Sequence, residues 1–170
     1  MPFVSVIKQP EGLLVVKLPP MASTLTKILV HVIYSTKHRV DLIPPELEAD
    51  LYSYTGGICR GMECTLMAMN GTANHVHLLV GLNKNAALSD LMLNVKRDSS
   101  KWIKDRSLAL RDFGWQDGYF GFSIGESGVD GVRAYIASQK AHHERVDFKD
   151  EVRTFLRKYG VEWDEQYIWD

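Results

Sequence analysis

Cysteine is scarce in this chain of 170 residues, which contains only Cys59 and Cys64. Two thiols are too few for a disulfide framework, and the chain lacks the second cysteine pair that a zinc ribbon requires. We therefore expect both thiols to be reduced and packed, in a protein of the cytoplasm.

Long hydrophobic runs are also lacking. No apolar stretch approaches the roughly 20 residues needed to cross a bilayer. The apolar run at residues 12–16 is followed by Lys17 and by Pro19-Pro20, and the opening residues have no basic cluster. These features argue against a membrane span and against a signal peptide.

The chain has no excess of positive charge, because its formal net charge is −1. Proteins that bind nucleic acid usually neutralise phosphates with Lys and Arg, so the net charge by itself argues against a nucleic-acid partner. The distribution is uneven, however. Residues 84–111 contain seven basic and three acidic side chains, whereas residues 144–170 contain five basic and eight acidic ones. Positive charge is therefore concentrated in one stretch.

The apolar positions of that stretch recur at helical spacing and predict a helix with one buried side: Leu88, Met92, Val95, Ser99 and Trp102. Arg97, Lys101 and Lys104 form a basic stripe on the other side. Such a stripe is often only the solvated face of a helix, and a track for a DNA backbone is the alternative. We treat these three residues as candidate DNA contacts.

The feature that the chain does possess is His75-Val76-His77, within the apolar run of residues 74–80. The run reads as a buried strand, and because strand side chains alternate between faces, the two imidazoles share one face. Such a pair can hold one metal ion. A lone His-x-His is more often structural, and two imidazoles do not select a metal, so a third ligand and a nucleophile are needed.

Residues 135–143 read as helix, and at 3.6 residues per turn Tyr135 and Gln139 fall on a common face. The Gln139 carbonyl is a hard oxygen ligand that suits magnesium or manganese. A phenol, with an ordinary pKa of about 10, becomes a nucleophile when a base or a cation helps it. Each residue alone would be ordinary helix surface. Together with His75 and His77 they favour metal-assisted attack on a phosphodiester.

The other histidines receive no chemical role from the sequence. His142 and His143 could help the metal site or the phenol, but we expect them to lie at a solvated helix end. We expect His31 and His38 to flank the first strand, where they could touch DNA or nothing.

Beyond residue 21 the pattern predicts strand, helix, strand, strand, helix, strand and helix at residues 27–35, 45–62, 63–69, 75–81, 88–106, 119–124 and 129–145. A further helix is predicted at 148–159. The βαββαβ order is typical of an α+β, ferredoxin-like (RRM-like) antiparallel sheet covered by helices on one face, here with C-terminal helices that carry the tyrosine. We expect the open face to carry His75 and His77.

These residues resemble a known family, the single-tyrosine transposases of the HUH superfamily, which the simplest bacterial insertion sequences encode and to which the REP-associated tyrosine transposases are related. The likeness covers nearly everything after Met21. It runs through residues 25–39, 74–80, 99–102, 115–119, 122–123, Tyr135, Gln139, 142–143 and 167–169.

The resemblance implies a DNA transposase that cleaves and rejoins single-stranded DNA through a 5′-phosphotyrosine and recognises hairpins at the ends of its element. Tyr135 would be the nucleophile, and His75, His77 and Gln139 would hold a divalent cation, Mg²⁺ or Mn²⁺. No nucleotide cofactor is expected, and the chain has no phosphate-binding loop. The family also implies a homodimer in which the tyrosine helix of one subunit can complete the site of the other.

Two assignments stay open at this stage. Residues 1–20 read as an N-terminal extension, from an appended segment or a start codon placed too far upstream, with an extra strand as the alternative; residues 21–170 then form the transposase domain. For function, the alternatives are a domesticated protein that binds single-stranded or hairpin DNA without transposition, and a metal-dependent hydrolase of small phosphoesters that leaves Tyr135 unexplained.

Overall fold

The computed structural model describes residues 24–169, together with the backbone of residues 5–8 and 14–17. Those two segments are strands, β1 (Ser5–Lys8) and β2 (Leu14–Lys17), which pair antiparallel with each other. The remainder of the predicted extension at residues 1–20 lies outside the described residues. Its assignment as an extension stays a prediction.

The core of the fold is a four-stranded antiparallel sheet in the order β4-β5-β3-β6. Its strands are β3 (Ile28–Ser35), β4 (Thr65–Gly71), β5 (His75–Leu82) and β6 (Phe120–Ile124). Helix α1 (Glu48–Gly61) connects β3 to β4, and helix α2 (Leu88–Lys104) connects β5 to β6. The βαββαβ order and the ferredoxin-like α+β class are therefore confirmed.

One face of the sheet is apolar and packs against α1 and α2. Alternation along β3 and β5 places Val32, Tyr34, Val76 and Leu78 on this face, each fully buried. They pack in one cluster with residues of both helices, among them Leu51. Burial of each such side chain contributes roughly 1.5–3 kcal/mol, and it fixes the register that sends the alternate residues to the opposite face.

The opposite face is not open, which corrects the expectation from sequence. Three C-terminal helices cover it: α3 (Val129–Ala137), α4 (Gln139–His143) and α5 (Phe148–Lys158). Phe148, Val152 and Leu156 of α5 form an apolar stripe that packs on Ile33 and Phe122 of the sheet. Since this stripe needs an apolar surface to cover it, the helix lies on the sheet and encloses the histidines.

The predicted helix at residues 129–145 is interrupted at Ser138, so that α3 and α4 are separate helices. Asn70, on the edge strand β4, donates hydrogen bonds to the carbonyl oxygens of Ile136 (2.9 Å) and Ala137 (3.0 Å). These carbonyls lie at the end of α3, where the helix has no further N–H groups to bond them. The side chain of a neighbouring strand therefore stabilises a break that local helix propensity does not specify.

The turn between β4 and β5 determines where His75 lies. The sequence predicts a turn at Asn70-Gly71, whereas β4 continues through Gly71 and the chain reverses at residues 72–74. A Cβ atom at Gly71 would collide with the carbonyl oxygen of His75. Only glycine allows this close approach of the two strands.

The prediction that both cysteines are packed thiols is confirmed. Cys59 and Cys64 are buried free thiols. The aromatic tail packs on the domain through Trp163, Ile168 and Trp169, beside α5. Within the described part of the chain, no helix has the length and apolar character that crossing a membrane requires.

Candidate metal and tyrosine site

His75 and His77 lie on the same face of β5, as their spacing predicts, with ring centroids 5.3 Å apart. Both side chains are buried, with 1% and 0% of their surface exposed. The pair therefore does not have the arrangement expected of a purely structural His-x-His, in which one ring lies in the core and the other at the surface.

Neighbouring side chains fix the orientation of the His75 ring. Its Nδ1 atom lies 2.8 Å from the Asn74 side-chain oxygen and 2.8 Å from the Thr72 hydroxyl. Because the amide oxygen can only accept, Nδ1 carries the ring proton. The Nε2 atom of the neutral ring then presents a bare lone pair to the buried interior.

His31 fixes the ring of His77. The sequence leads us to expect His31 at the flank of β3, but it lies in the middle of that strand and is fully buried. Its Nε2 atom is 3.1 Å from Nδ1 of His77. A metal-binding histidine donates the proton of its distal nitrogen to such a partner, which leaves the other nitrogen to face the ion. His77 therefore directs Nε2 toward the same interior space as His75.

Gln139 reaches this space from α4 with a fully buried side chain. Its amide nitrogen is 3.3 Å from a Glu151 oxygen. Its carbonyl oxygen has no hydrogen-bond partner among residues 24–169, and the same is true of Nε2 of His75 and Nε2 of His77. The last of these is 3.3 Å from Glu151 without hydrogen-bonding alignment. Buried acceptors are rarely left unpaired, so these three atoms are suited to a cation.

The Tyr135 hydroxyl lies at the edge of the same cluster. It donates a hydrogen bond to Oε1 of Glu151, and it is 3.3 Å from Nε2 of His142. The Tyr135 ring centroid is 6.0 Å from that of His77. One chain thus brings the four predicted residues, Tyr135, His75, His77 and Gln139, into one site.

Two further members of the cluster are Glu151, for which the sequence predicts no role, and His143, for which it favours a solvated helix end over a part in the site. Nε2 of His143 is 3.1 Å from Oε2 of Glu151, so the expectation of a solvated helix end is wrong for this residue. Donor atoms of His75, His77, His143 and Glu151 all lie within 4.8 Å of one another. A signal for Glu151 exists in the sequence: it is an acidic residue next to Val152 and four residues before Phe155, on the apolar side of its helix.

Burial sets the protonation of the site. It lowers the pKa of both His31 and His75 to about 3, and it lowers the pKa of His77 against the opposing effect of Glu151. Burial alone would raise the pKa of the Glu151 carboxyl, but the adjacent imidazoles of His143 and His77 hold it well below its usual range. Near neutral pH His31, His75 and His77 are therefore neutral imidazoles, and Glu151 is a carboxylate.

The phenol is held in its neutral form as well. Burial and the hydrogen bond to Glu151 raise the pKa of Tyr135 well above its ordinary value. A neutral phenol is a weak nucleophile, so the arrangement needs positive charge nearby before the oxygen can attack.

The basic stripe lies away from this site. Arg97, Lys101 and Lys104 are exposed on α2, which packs on the opposite face of the sheet. Arg97 pairs with Asp98 at 2.6 Å. The stripe therefore lies on the other side of the sheet from Tyr135, and its role in binding DNA stays a prediction.

A cavity of about 770 Å³ opens beside the Tyr135 ring, between α3, α5 and the end of β6. Phe155 and Tyr159 provide aromatic surface in its wall, and Lys158 provides a cation. The cavity is large enough for nucleotide-sized groups and reaches His31 and Glu151. It offers a path from solvent to the tyrosine.

Residues 24–139 match the family model of IS200-like transposases. With more than half of its length matched, the chain belongs to that family. It is accordingly a single-tyrosine transposase of the HUH superfamily, an enzyme of the DNA strand transferase class.

Two solved structures share the fold. A chain assigned as a transposase in Deinococcus radiodurans R1 has a TM-score of 0.55 at 20% identity, covering 72% of this chain and 98% of that one. A REP-associated tyrosine transposase bound to a REP hairpin has a TM-score of 0.54 at 14% identity, covering 86% of this chain and 92% of that one. No curated protein matches the chain.

Proposed function

We propose that this transposase cleaves and rejoins single-stranded DNA with Tyr135 as the nucleophile and with a divalent cation held by His75, His77 and Gln139. The observation that carries the proposal is the convergence of three unpaired buried acceptor atoms, one from each proposed ligand, beside the Tyr135 hydroxyl. Separate elements supply them, β5 for the histidines and α4 for the glutamine. It is the packing of α4 near β5, and not the local sequence, that brings these atoms near one another.

The donor set fits a divalent cation. Two imidazole nitrogens and an amide oxygen suit Mn²⁺ and, through the oxygen, Mg²⁺. The nearby carboxylate of Glu151 adds negative charge to the site. When bound, the ion would polarise the scissile phosphate and stabilise the charge that develops on its oxygens.

The residues of the chain then have separate tasks. Tyr135 forms the oxygen–phosphorus bond while the bond to the 3′ oxygen breaks, which leaves a 5′-phosphotyrosine and a 3′ hydroxyl. The phenol releases one proton and the departing oxygen takes one up. Because a phosphodiester is kept throughout, a 3′ hydroxyl can later attack the phosphotyrosine and rejoin the strand without a nucleotide cofactor.

We further propose that the substrate folds into hairpins at the ends of an insertion sequence. The support is the fold shared with a transposase that was solved on a REP hairpin. Arg97, Lys101 and Lys104 are the proposed contacts for the hairpin backbone. Their position across the sheet from Tyr135 would let one DNA molecule be held on α2 and cut on the opposite face.

A homodimer with exchanged tyrosine helices is part of the proposal. The connection from β6 to α3 contains Gly125 and Gly128, and a Cβ atom would meet nothing within 4 Å at Gly125. This connection could carry α3 to a second subunit. In the present arrangement, Tyr135 lies beside the histidines of its own chain.

The deciding experiment is covalent capture. Protein is mixed with Mn²⁺ and labelled single-stranded hairpin DNA, and adducts that survive denaturation are counted. We expect an adduct with the native chain, none with Tyr135→Phe, and unchanged DNA binding by that variant. Tyr167→Phe is the matched control, because the Tyr167 side chain is 72% exposed.

The same experiment separates the alternatives. DNA binding without any adduct would indicate a domesticated binding protein. Phosphoesterase activity that survives Tyr135→Phe would indicate a hydrolase that uses the histidines alone. An adduct that persists in Tyr135→Phe would show that another residue is the nucleophile.

A further inference from the structure

Glu151 contacts most of the side chains of the site, although it lies outside the residues that match the family model. Its side chain is 2% exposed and is carried by α5 on the side that packs against the sheet. Phe148 and Val152 flank it and anchor the helix. A carboxylate buried on an apolar helix face is costly unless it has strong partners.

The two carboxylate oxygens of Glu151 face different groups. Oε2 faces the histidines, at 3.3 Å from Nε2 of His77 and 3.1 Å from Nε2 of His143. Oε1 accepts hydrogen bonds from the Tyr135 hydroxyl and, at 3.3 Å, from the Gln139 amide. One side chain thus contacts both the proposed cation site and the nucleophile.

No Lys or Arg side chain among residues 24–169 pairs with this carboxylate. Within this part of the chain, the groups at ion-pair distance from Glu151 are the histidines His77, His142 and His143. A carboxylate oxygen of Glu151 and donor atoms of His75, His77 and His143 all lie within 4.8 Å of one another. A buried carboxylate in such a cluster is suited to bind a divalent cation.

We propose that Glu151 joins the metal centre to the nucleophile: Oε2 is a fourth protein ligand of the cation, and Oε1 positions the Tyr135 hydroxyl. This inference rests on the proposed function and adds to it a residue from a different helix. Metal binding and tyrosine placement then depend on the same carboxylate. His143 orients that carboxylate from α4.

The test uses two substitutions in the full-length chain. Glu151→Gln removes the charge but keeps an acceptor for the phenol, whereas Glu151→Ala removes both. Mn²⁺ affinity is measured without DNA, from the electron paramagnetic resonance of the free ion. We expect both variants to raise the dissociation constant at least about tenfold. Asp150→Asn is the matched control, because the Asp150 side chain is 68% exposed on the same helix.

The positioning role is measured at saturating Mn²⁺, where the difference in affinity no longer matters. There Glu151→Gln should regain much of the native rate of adduct formation, while Glu151→Ala should remain at least about tenfold slower. Equal rates for the two variants would overturn the link to Tyr135. Mn²⁺ affinities within twofold of the native value would overturn the ligand role.

A measurement on the native chain covers the case in which the variants do not fold. Crystals soaked in Mn²⁺ locate the ion by its anomalous scattering. A Glu151 oxygen at bonding distance from the ion supports the proposal, and an ion held without Glu151 overturns it. Because neither the soak nor the affinity measurement involves DNA, a failure here leaves Tyr135 as the proposed nucleophile. An adduct in Tyr135→Phe would overturn the proposed function instead.

Discussion

The ring of His31 lies against that of His77, with Nε2 of His31 3.1 Å from Nδ1 of His77. The two residues belong to neighbouring strands and both are fully buried. His31 thus has the position of a residue that orients a ligand without touching the ion.

Substitution of His31 should therefore weaken metal binding. We expect His31→Phe, which fills similar space but cannot hydrogen-bond, to lower Mn²⁺ affinity about 10- to 100-fold. Isothermal titration with MnCl₂ measures the effect. His38→Asn, at an exposed histidine, should bind Mn²⁺ as the native chain does. Native affinity in His31→Phe would show that His77 needs no such support.

Acid should destabilise the metal-free protein through the same residues. The folded pKa of His31 and of His75 is about 3, against an ordinary 6.5, so the unfolded chain binds more protons once the pH falls below about 6.5. The free energy of unfolding should then fall steadily from pH 6.5 toward pH 3. Glu151, whose folded pKa is also depressed, adds to the loss at the acid end.

Urea unfolding in EDTA across this range measures that loss. His31→Phe removes one of the titrating groups and should flatten the pH dependence, whereas His38→Asn should leave it unchanged. A free energy of unfolding that is constant from pH 6.5 to pH 4 would contradict the assignment of neutral buried imidazoles.

Asn70 should be needed for the placement of the tyrosine helix. Asn70→Ala removes both hydrogen bonds to the end of α3, and we expect a loss of about 1–2 kcal/mol in the free energy of unfolding, together with slower adduct formation. Urea unfolding and covalent capture measure the two effects. Asn85→Ala, on an exposed loop, is the control. Unchanged stability in Asn70→Ala would mean that the break at Ser138 forms without this contact.

Mixing two inactive variants distinguishes a site within one chain from a site shared between subunits. Tyr135→Phe keeps the proposed ligands, and a His75→Ala, His77→Ala double variant keeps the tyrosine. If helices are exchanged in a homodimer, half of the randomly paired dimers are mixed and each has one intact site of two, so an equal mixture should recover about a quarter of the native adduct yield. If every tyrosine serves its own chain, the mixture should stay inactive.

Removal of residues 1–20 should leave the enzyme intact. The family match begins at residue 24, and β1 and β2 pair with each other and not with the four-stranded sheet. We expect a chain that starts at Met21 to have the stability and adduct yield of the full chain. A mass measurement of the native protein tests the start itself, since a chain that begins at Met1 or Pro2 would reject the later start.

Local periodicity accounts for what the sequence predicted well. The alternation around His75 and His77 placed both rings on one face. Helical spacing predicted that Tyr135 and Gln139 lie near each other, although the structure carries them on two separate helices. Each inference needed only neighbours within a few residues. The order of strands and helices followed from the same kind of pattern.

The missed features all depend on contacts between distant segments. Glu151 reaches the histidines only because α5 folds back over the sheet, 74 residues after His77. The break at Ser138 depends on Asn70 of β4, and the role of His31 depends on pairing between β3 and β5. None of these contacts is visible as a periodic pattern in the sequence. Glu151 could still have been noticed, because it is an acidic residue on the apolar side of a predicted helix.

The helices that cover the histidine face have a consequence for the form of DNA that can be cut. With α3 and α5 lying over the sheet, the cavity by Phe155 leads to Tyr135 from the side. We expect a single strand to enter this cavity more easily than a base-paired duplex, which is wider. The protein would then select single-stranded over double-stranded DNA by its shape, without contacts to the bases.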